Sequence, residues 1–245
     1  MGRILLTLAY DGAAYAGWQS QPDAVTIQGT IEGVLAHMAG RQVALVGAGR
    51  TDSGVHALAQ AAHFDAPADY PPDTWAKALN AQLPKDIAVL SSVAVADDFH
   101  ARHASVGKHY RYRILNRPVR CPFRRGMTWF VPYGLDVEAM DRGANLLLGE
   151  HDFSSFRAAG CGARHAVRTV TAATVFRHGD EVHLEVHGNG FLKQMVRNLA
   201  GTLVEVGRGR QAPEWIGHLL EVRDRTRAGE TAPAQGLTLV AVGYP

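Results

Sequence analysis

The densest chemical signal in the chain is a carboxylate set in a glycine-rich loop. In Val46-Gly47-Ala48-Gly49-Arg50-Thr51-Asp52-Ser53-Gly54-Val55-His56, three glycines fall within eight positions. They let the backbone take unusual angles and come close to a ligand. Such a loop can present Asp52 as a nucleophile or a base. It can equally be a glycine turn whose aspartate makes an Asx-type hydrogen bond. A dinucleotide loop fails because Asp52 stands where G-x-G-x-x-G needs its third glycine, and no long helix follows directly. A phosphate-cradling P-loop fails for lack of G-K-[ST].

A second signal is charge. Residues 99–135 hold no Asp or Glu but eight basic residues: Arg102, Lys108, Arg111, Arg113, Arg117, Arg120, Arg124 and Arg125. A stretch of this kind is a candidate phosphate-binding surface, because neutralised phosphates release counterions. It is equally a solvated segment of a chain that prefers Arg to Lys throughout. Within it, Lys108-His109-Tyr110-Arg111-Tyr112-Arg113-Ile114 alternates, so Tyr110, Tyr112 and Ile114 share one face and His109, Arg111 and Arg113 the other. The twelve histidines, His56, His63, His100 and His103 among them, show no metal-binding spacing and read as structural or nucleic-acid-facing. Cys121 and Cys161 form no C-x-x-C motif, so zinc ribbons and redox pairs are not expected.

The elements that must position these residues follow from periodicity. Residues 3–10 read as a strand ending at Asp11-Gly12, and 26–38 as a helix with Ile27, Ile31, Val34, Leu35 and Met38 on one side and Thr26 as N-cap. Strands are expected at 42–46, 58–65 and 87–95, with a helix over 73–82 after a double proline. The order then returns with other lengths: strands at 108–115 and 127–132, a helix over 136–148 capped by Asp136, and a hairpin of 167–177 with 181–187. Helices over 191–206 and 213–222 and a strand at 236–242 complete it. In the helix 191–206, Phe191, Met195 and Leu199 form one apolar row and Arg197 lies off it.

The expected fold is α+β: two ferredoxin-like β-α-β-β-α-β halves, residues 1–104 and 105–245, with antiparallel sheets side by side and a central groove able to take a large polyanion. With 245 residues, 47% hydrophobic and 20% charged, the chain has the composition of a soluble protein with a real core. No apolar run approaches the roughly 20 residues of a membrane span. The start, MGRILLTLAYDG, lacks the pattern of a signal peptide, so a cytoplasmic location is expected.

GRTDSGVHA closely resembles the active-site motif of the TruA family of tRNA pseudouridine synthases. AYDGAAYAGWQSQ, DDFHARHASVGKHYRYRI, GEHDFSSFR, FLKQMVRNLAGTLVEVG and GLTLVAVGYP match the family in order and separation, so the resemblance covers almost the whole chain. Ser53 stands where many members have alanine. The resemblance implies isomerisation of uridine to pseudouridine at tRNA positions 38, 39 and 40 in the anticodon stem-loop by a homodimer, with Asp52 as the essential catalytic residue. It further implies that Tyr110 stacks on the target base and Arg197 pairs with Asp52. Arg50 would help hold the extruded nucleotide, and Leu237 would pack in the base pocket. The reaction needs neither cofactor nor metal, and no nucleotide-cofactor motif is present. Two other classes fit parts of the pattern: a non-catalytic RNA-binding protein using the basic strand, and a nucleotide-dependent enzyme using the loop 47–54.

Overall fold

The computed structural model describes residues 2–245; position 1 of the expected first half lies outside them. The chain divides into two compact units. One runs from the N-terminus to Val106 and takes in Leu239–Pro245, and the other is Gly107–Thr238.

The first unit is built from β1 (Arg3–Tyr10), α1 (Ile27–Ala39), β2 (Val46–Gly47), β3 (His56–Asp65), α2 (Pro72–Asn80) and β4 (Ile87–Val95). β1 lies between β3 and β4, antiparallel to both, and β2 pairs with β3. The alternation of β1 buries Ile4, Leu6, Leu8 and Tyr10. Each fully buried aliphatic side chain contributes about 1.5–3 kcal/mol. Thr26 caps α1, its Oγ1 accepting from Gly29 N at 3.2 Å, and Gly40 in the left-handed region (φ 65°) ends the helix. The buried row is Ile27, Ile31 and Leu35. Proline at the start of α2 leaves no N–H unpaired, and Trp75 meets Phe64 of β3 edge-on at 5.2 Å.

The strand expected at 42–46 shrinks to Val46–Gly47. Side chains of α1 supply the missing ladder: Leu45 N donates to Glu32 Oε1 and Gln28 Nε2 donates to Leu45 O. An amide already satisfied by a neighbouring helix has no need of a strand partner.

The second unit holds β5 (Gly107–Asn116), β6 (Trp129–Val131), α3 (Val137–Asn145), β7 (Gly149–Asp152), β8 (Val167–His178), β9 (Glu181–Gly188), α4 (Met195–Gly207) and α5 (Trp215–Val222). The strand order is β6-β5-β9-β8-β7, with only the β5–β6 pair parallel. Asp136 caps α3 through Ala139 N at 2.9 Å, as its position before the helix predicts. The two-residue loop Gly179-Asp180 closes the β8–β9 hairpin, with Gly179 at φ 58°. The helix expected from residue 191 starts only at Met195, because Gln194 adopts a left-handed conformation (φ 59°) that a helix cannot contain. Phe191 therefore leaves the predicted helical row and packs elsewhere. The last strand, β10 (Leu237–Gly243), begins in the second unit, and its residues from Leu239 group with the first. Among the described residues no helix is long and apolar enough to cross a membrane.

Candidate functional site

Asp52 opens a tight turn. Val55 N donates to Asp52 O at 3.1 Å, and Gly54, at φ 77°, supplies the left-handed third position that such a turn requires. Asp52 is half-buried and Arg50 is exposed. The turn is gripped by residues 11–18, which leave β1 and run beside it. Trp18 N donates to Thr51 O at 3.0 Å, and the Tyr10 hydroxyl meets Thr51 Oγ1 at 2.9 Å. Burial pushes the Tyr10 phenol up to about 12, so it stays a neutral hydrogen-bonding group. Gly54 N and Ser53 Oγ both donate to Tyr15 O, at 3.4 and 3.1 Å. The Ser53 hydroxyl thus adds a side-chain hydrogen bond to the grip. Tyr15 is itself fixed by donating to Asp86 Oδ1 at 2.7 Å.

Three glycines allow this closeness. A Cβ on Gly12 would lie 2.0 Å from Val55 O, on Gly17 2.8 Å from Thr51 O, and on Gly47 2.6 Å from the Trp18 ring. His56, which follows the turn, is buried, and its Nδ1 accepts from Gly12 N at 3.1 Å. The Asp11 carboxylate lies 3.0 Å from the same nitrogen. Glycines in AYDGAAYAGW thus act on Asp52 at a distance in sequence; the motif gave their presence but not their contact.

In the second unit the alternation of β5 places Tyr110 and Tyr112 on one face, both buried. Tyr110 meets Phe191 edge-on, centroids 5.1 Å apart at 82°. Tyr112 is a core residue: it has no exposed surface, its hydroxyl donates to Pro233 O at 2.7 Å, and a Cβ on Gly236 would lie 2.6 Å from its ring. Arg197, in the first turn of α4, is half-buried rather than an exposed helical arginine, and its Nε donates to Ala232 O at 2.8 Å. Ala232 N returns a bond to Arg197 O at 3.2 Å. Leu237 follows this strap and is buried.

The strap, residues 228–236, depends on residues that sequence reasoning passed over. Asn198, fully buried, donates to Phe156 O and accepts at Oδ1 from Arg225 and Thr231. Arg225 also donates to Gly229 O at 2.8 Å. Gly201 admits the strap so closely that a Cβ there would lie 1.9 Å from Glu230 O. The available signal was a polar Asn198 and a small Gly201 among the apolar residues of the buried side of α4.

The structure thus brings Arg197, Tyr112 and Leu237 onto one strap and places Tyr110 on the Tyr112 face of β5. Asp52 and Arg50 belong to the first unit. Four of the eight basic residues of the stretch are answered from within. Arg111 pairs with Glu185, Arg113 and Arg124 with Glu181, and Arg117 with Asp180. Any phosphate-facing charge from residues 99–135 therefore shifts toward exposed Arg102, Arg120 and Arg125.

A protein-family model described as tRNA pseudouridine synthase matches residues 7–103 and 144–245. Among curated proteins, the chain is similar to the tRNA pseudouridine synthase A of Myxococcus xanthus, 51% identical over 245 residues covering 100% of this chain and 92% of the relative. Those named likewise in Syntrophotalea carbinolica (46%, covering 100% and 97%) and Halalkalibacterium halodurans (48%, covering 97% and 90%) match along nearly the same span. The chain belongs to the tRNA pseudouridine synthase family and is an isomerase. The family match takes in Arg50, Asp52, Arg197 and Leu237, while Tyr110 falls in the unmatched residues 104–143.

Proposed function

We propose that this enzyme converts uridine to pseudouridine at positions 38, 39 and 40 of the tRNA anticodon stem-loop, with Asp52 as its catalytic carboxylate. The observation that carries this reading is the turn at Asp52: its backbone is held from one side by residues 11–18 through Thr51, Ser53, Gly54 and Val55. A carboxylate on so fixed a backbone is pre-organised toward one reacting position. The reaction breaks the bond from uracil N1 to ribose C1′, turns the base, and forms the bond from C5 to C1′; the C5 proton leaves to solvent and N1 takes up a proton. Substrate and product are isomers, so no oxidant or energy source is consumed.

The target uridine has to leave its stack, at about a few kcal/mol. Tyr110 offsets that cost by stacking on the extruded base, Arg50 by holding the nucleotide, and Leu237 by lining the base pocket. Arg197 pairs with Asp52 and orients its carboxylate; the Nε–Ala232 bond fixes the guanidinium plane for that task. In this reading each unit is a ferredoxin-like half that contributes to RNA binding, and the enzyme works in the cytoplasm as a homodimer. Modification of neighbouring positions in different tRNAs fits recognition of backbone and shape rather than base sequence.

The test is incubation with unmodified tRNA carrying tritium at uridine C5. The wild-type enzyme releases label from positions 38–40, and Asp52→Ala releases none while still binding tRNA. Label release undiminished in Asp52→Ala would overturn the assignment of the carboxylate.

A further inference from the structure

The face of the second unit's sheet opposite Tyr110 carries a cluster that the isomerase reading does not use. His109 of β5 and His187 of β9 stand directly across from each other, their rings stacked with centroids 3.9 Å apart at 13°. Glu185, two residues before His187 on the same strand, shares that face. Its Oε2 contacts His109 Nε2, and its Oε1 accepts from Arg111 Nε. One ligand atom each from His109, Glu185 and His187 lies within 4.8 Å of the others; these three are the one such group among the described residues.

We propose that His109, Glu185 and His187 form a binding site for a late first-row divalent cation of the Zn²⁺ type. Two imidazoles and one carboxylate are a zinc donor set, with bonds of about 2.0–2.2 Å and a fourth position left to water. Ligands around such an ion stand roughly 3.3 Å apart. The present spread closes to that value by turning side chains, with the β5–β9 ladder unmoved. Each stacked ring has to rotate so that its lone pair points at the common centre. Arg111 holds the far oxygen of Glu185 and so aims the near one, the usual role of a group behind a ligand. Imidazole donors select against Mg²⁺ and Ca²⁺, which take oxygen ligands. The cation would tie β5 to β9 beside Tyr110 and act on fold stability. The ligands are invisible to sequence spacing because His109 and Glu185 lie 76 residues apart and meet only through strand pairing.

The experiment uses untagged, metal-stripped enzyme titrated with Co²⁺, read by its visible absorption, and with Zn²⁺ by equilibrium dialysis and thermal melting. The expected result is one Zn²⁺ per chain, displacing Co²⁺. Tm should rise by about 5–10 °C at a hundredfold excess over Kd, because only the folded state binds. His109→Ala and His187→Ala should each weaken binding at least tenfold. His187→Gln, which keeps the volume of the side chain, should do the same with the metal-free Tm near wild type. Absence of saturable Zn²⁺ binding up to millimolar, unchanged affinity in His187→Gln, or equal affinity for Mg²⁺ would each overturn the proposal.

Discussion

Gly12 and Val55 touch through their backbones: a single methyl group on Gly12 would lie 2.0 Å from the Val55 carbonyl oxygen. Neither partner can yield cheaply, because Val55 closes the Asp52 turn and Gly12 N is bonded to His56. Gly12→Ala should therefore destabilise the protein by about 1–3 kcal/mol, the usual cost of overpacking. It should also reduce tritium release at least a hundredfold, since a small displacement of a catalytic group is costly. Gly33→Ala, an exposed helical glycine with open space around it, is the control: it should leave tritium release unchanged and raise stability by about 0.5–1 kcal/mol.

Arg197 tests differently as lysine and as leucine. Lysine keeps the charge but has no Nε to donate to Ala232 O. Arg197→Leu should abolish turnover without unfolding the enzyme, and Arg197→Lys should retain no more than a few per cent of kcat. Full turnover in Arg197→Leu would remove it from the site.

The two tyrosines of β5 should separate stability from activity. Tyr112→Phe removes a hydrogen bond from the half-buried Pro233 carbonyl, at about 1 kcal/mol. For a chain of this size that lowers Tm by roughly 2–4 °C per kcal/mol, with kcat little changed. Tyr110→Ala should show the reverse: a drop of at least a hundredfold in kcat with a smaller change in Tm. Tyr110→Phe keeps the ring and should keep most of the rate.

Stability should fall in mild acid through His63. Burial holds its pKa down to about 4, from an ordinary 6.5, and its Nδ1 accepts from Ala101 N. Below pH 6.5 the unfolded chain takes up a proton that the folded chain refuses, so stability declines from pH 6.5 to about 4 and then levels. The full shift corresponds to about 3–4 kcal/mol. Melting curves of His63→Asn, whose Oδ1 can accept the same bond, should be flatter over that window. An equal slope would place the acid sensitivity elsewhere.

Salt dependence of tRNA binding should sort the arginines. Arg113 is engaged by Glu181 through two bonds, at 2.8 and 2.9 Å, so Arg113→Ala should leave the salt slope unchanged. Arg120→Ala and Arg125→Ala should each lower it by about 1.

Local rules made most elements legible in the sequence. The Thr26 and Asp136 caps, the alternation of residues 108–115 and the Gly179-Asp180 loop each encode their element in a few neighbouring residues. What escaped depends on partners distant in the chain. β2 shortened because Gln28 and Glu32 bonded Leu45, and α4 started late because Gln194 turned left-handed. Asp52 could be picked out from its motif, but its grip by Tyr15 and Gly12 could not. The acidic partners of the basic stretch lie some seventy residues onward, so charge counting overstated what residues 99–135 have left for phosphates.

The division of the chain also sets an order of events in synthesis. Tyr244 donates to Ala101 O at 2.7 Å and stacks obliquely on Phe99, and Val106 N donates to Gly243 O. The first unit therefore waits for the last seven residues, which leave the ribosome after the entire second unit. At about 5–20 residues per second, that wait is roughly 7–26 s. During it, the half-built sheet that bears Asp52 is exposed to chaperones and proteases, and the unit begun first is the one completed last.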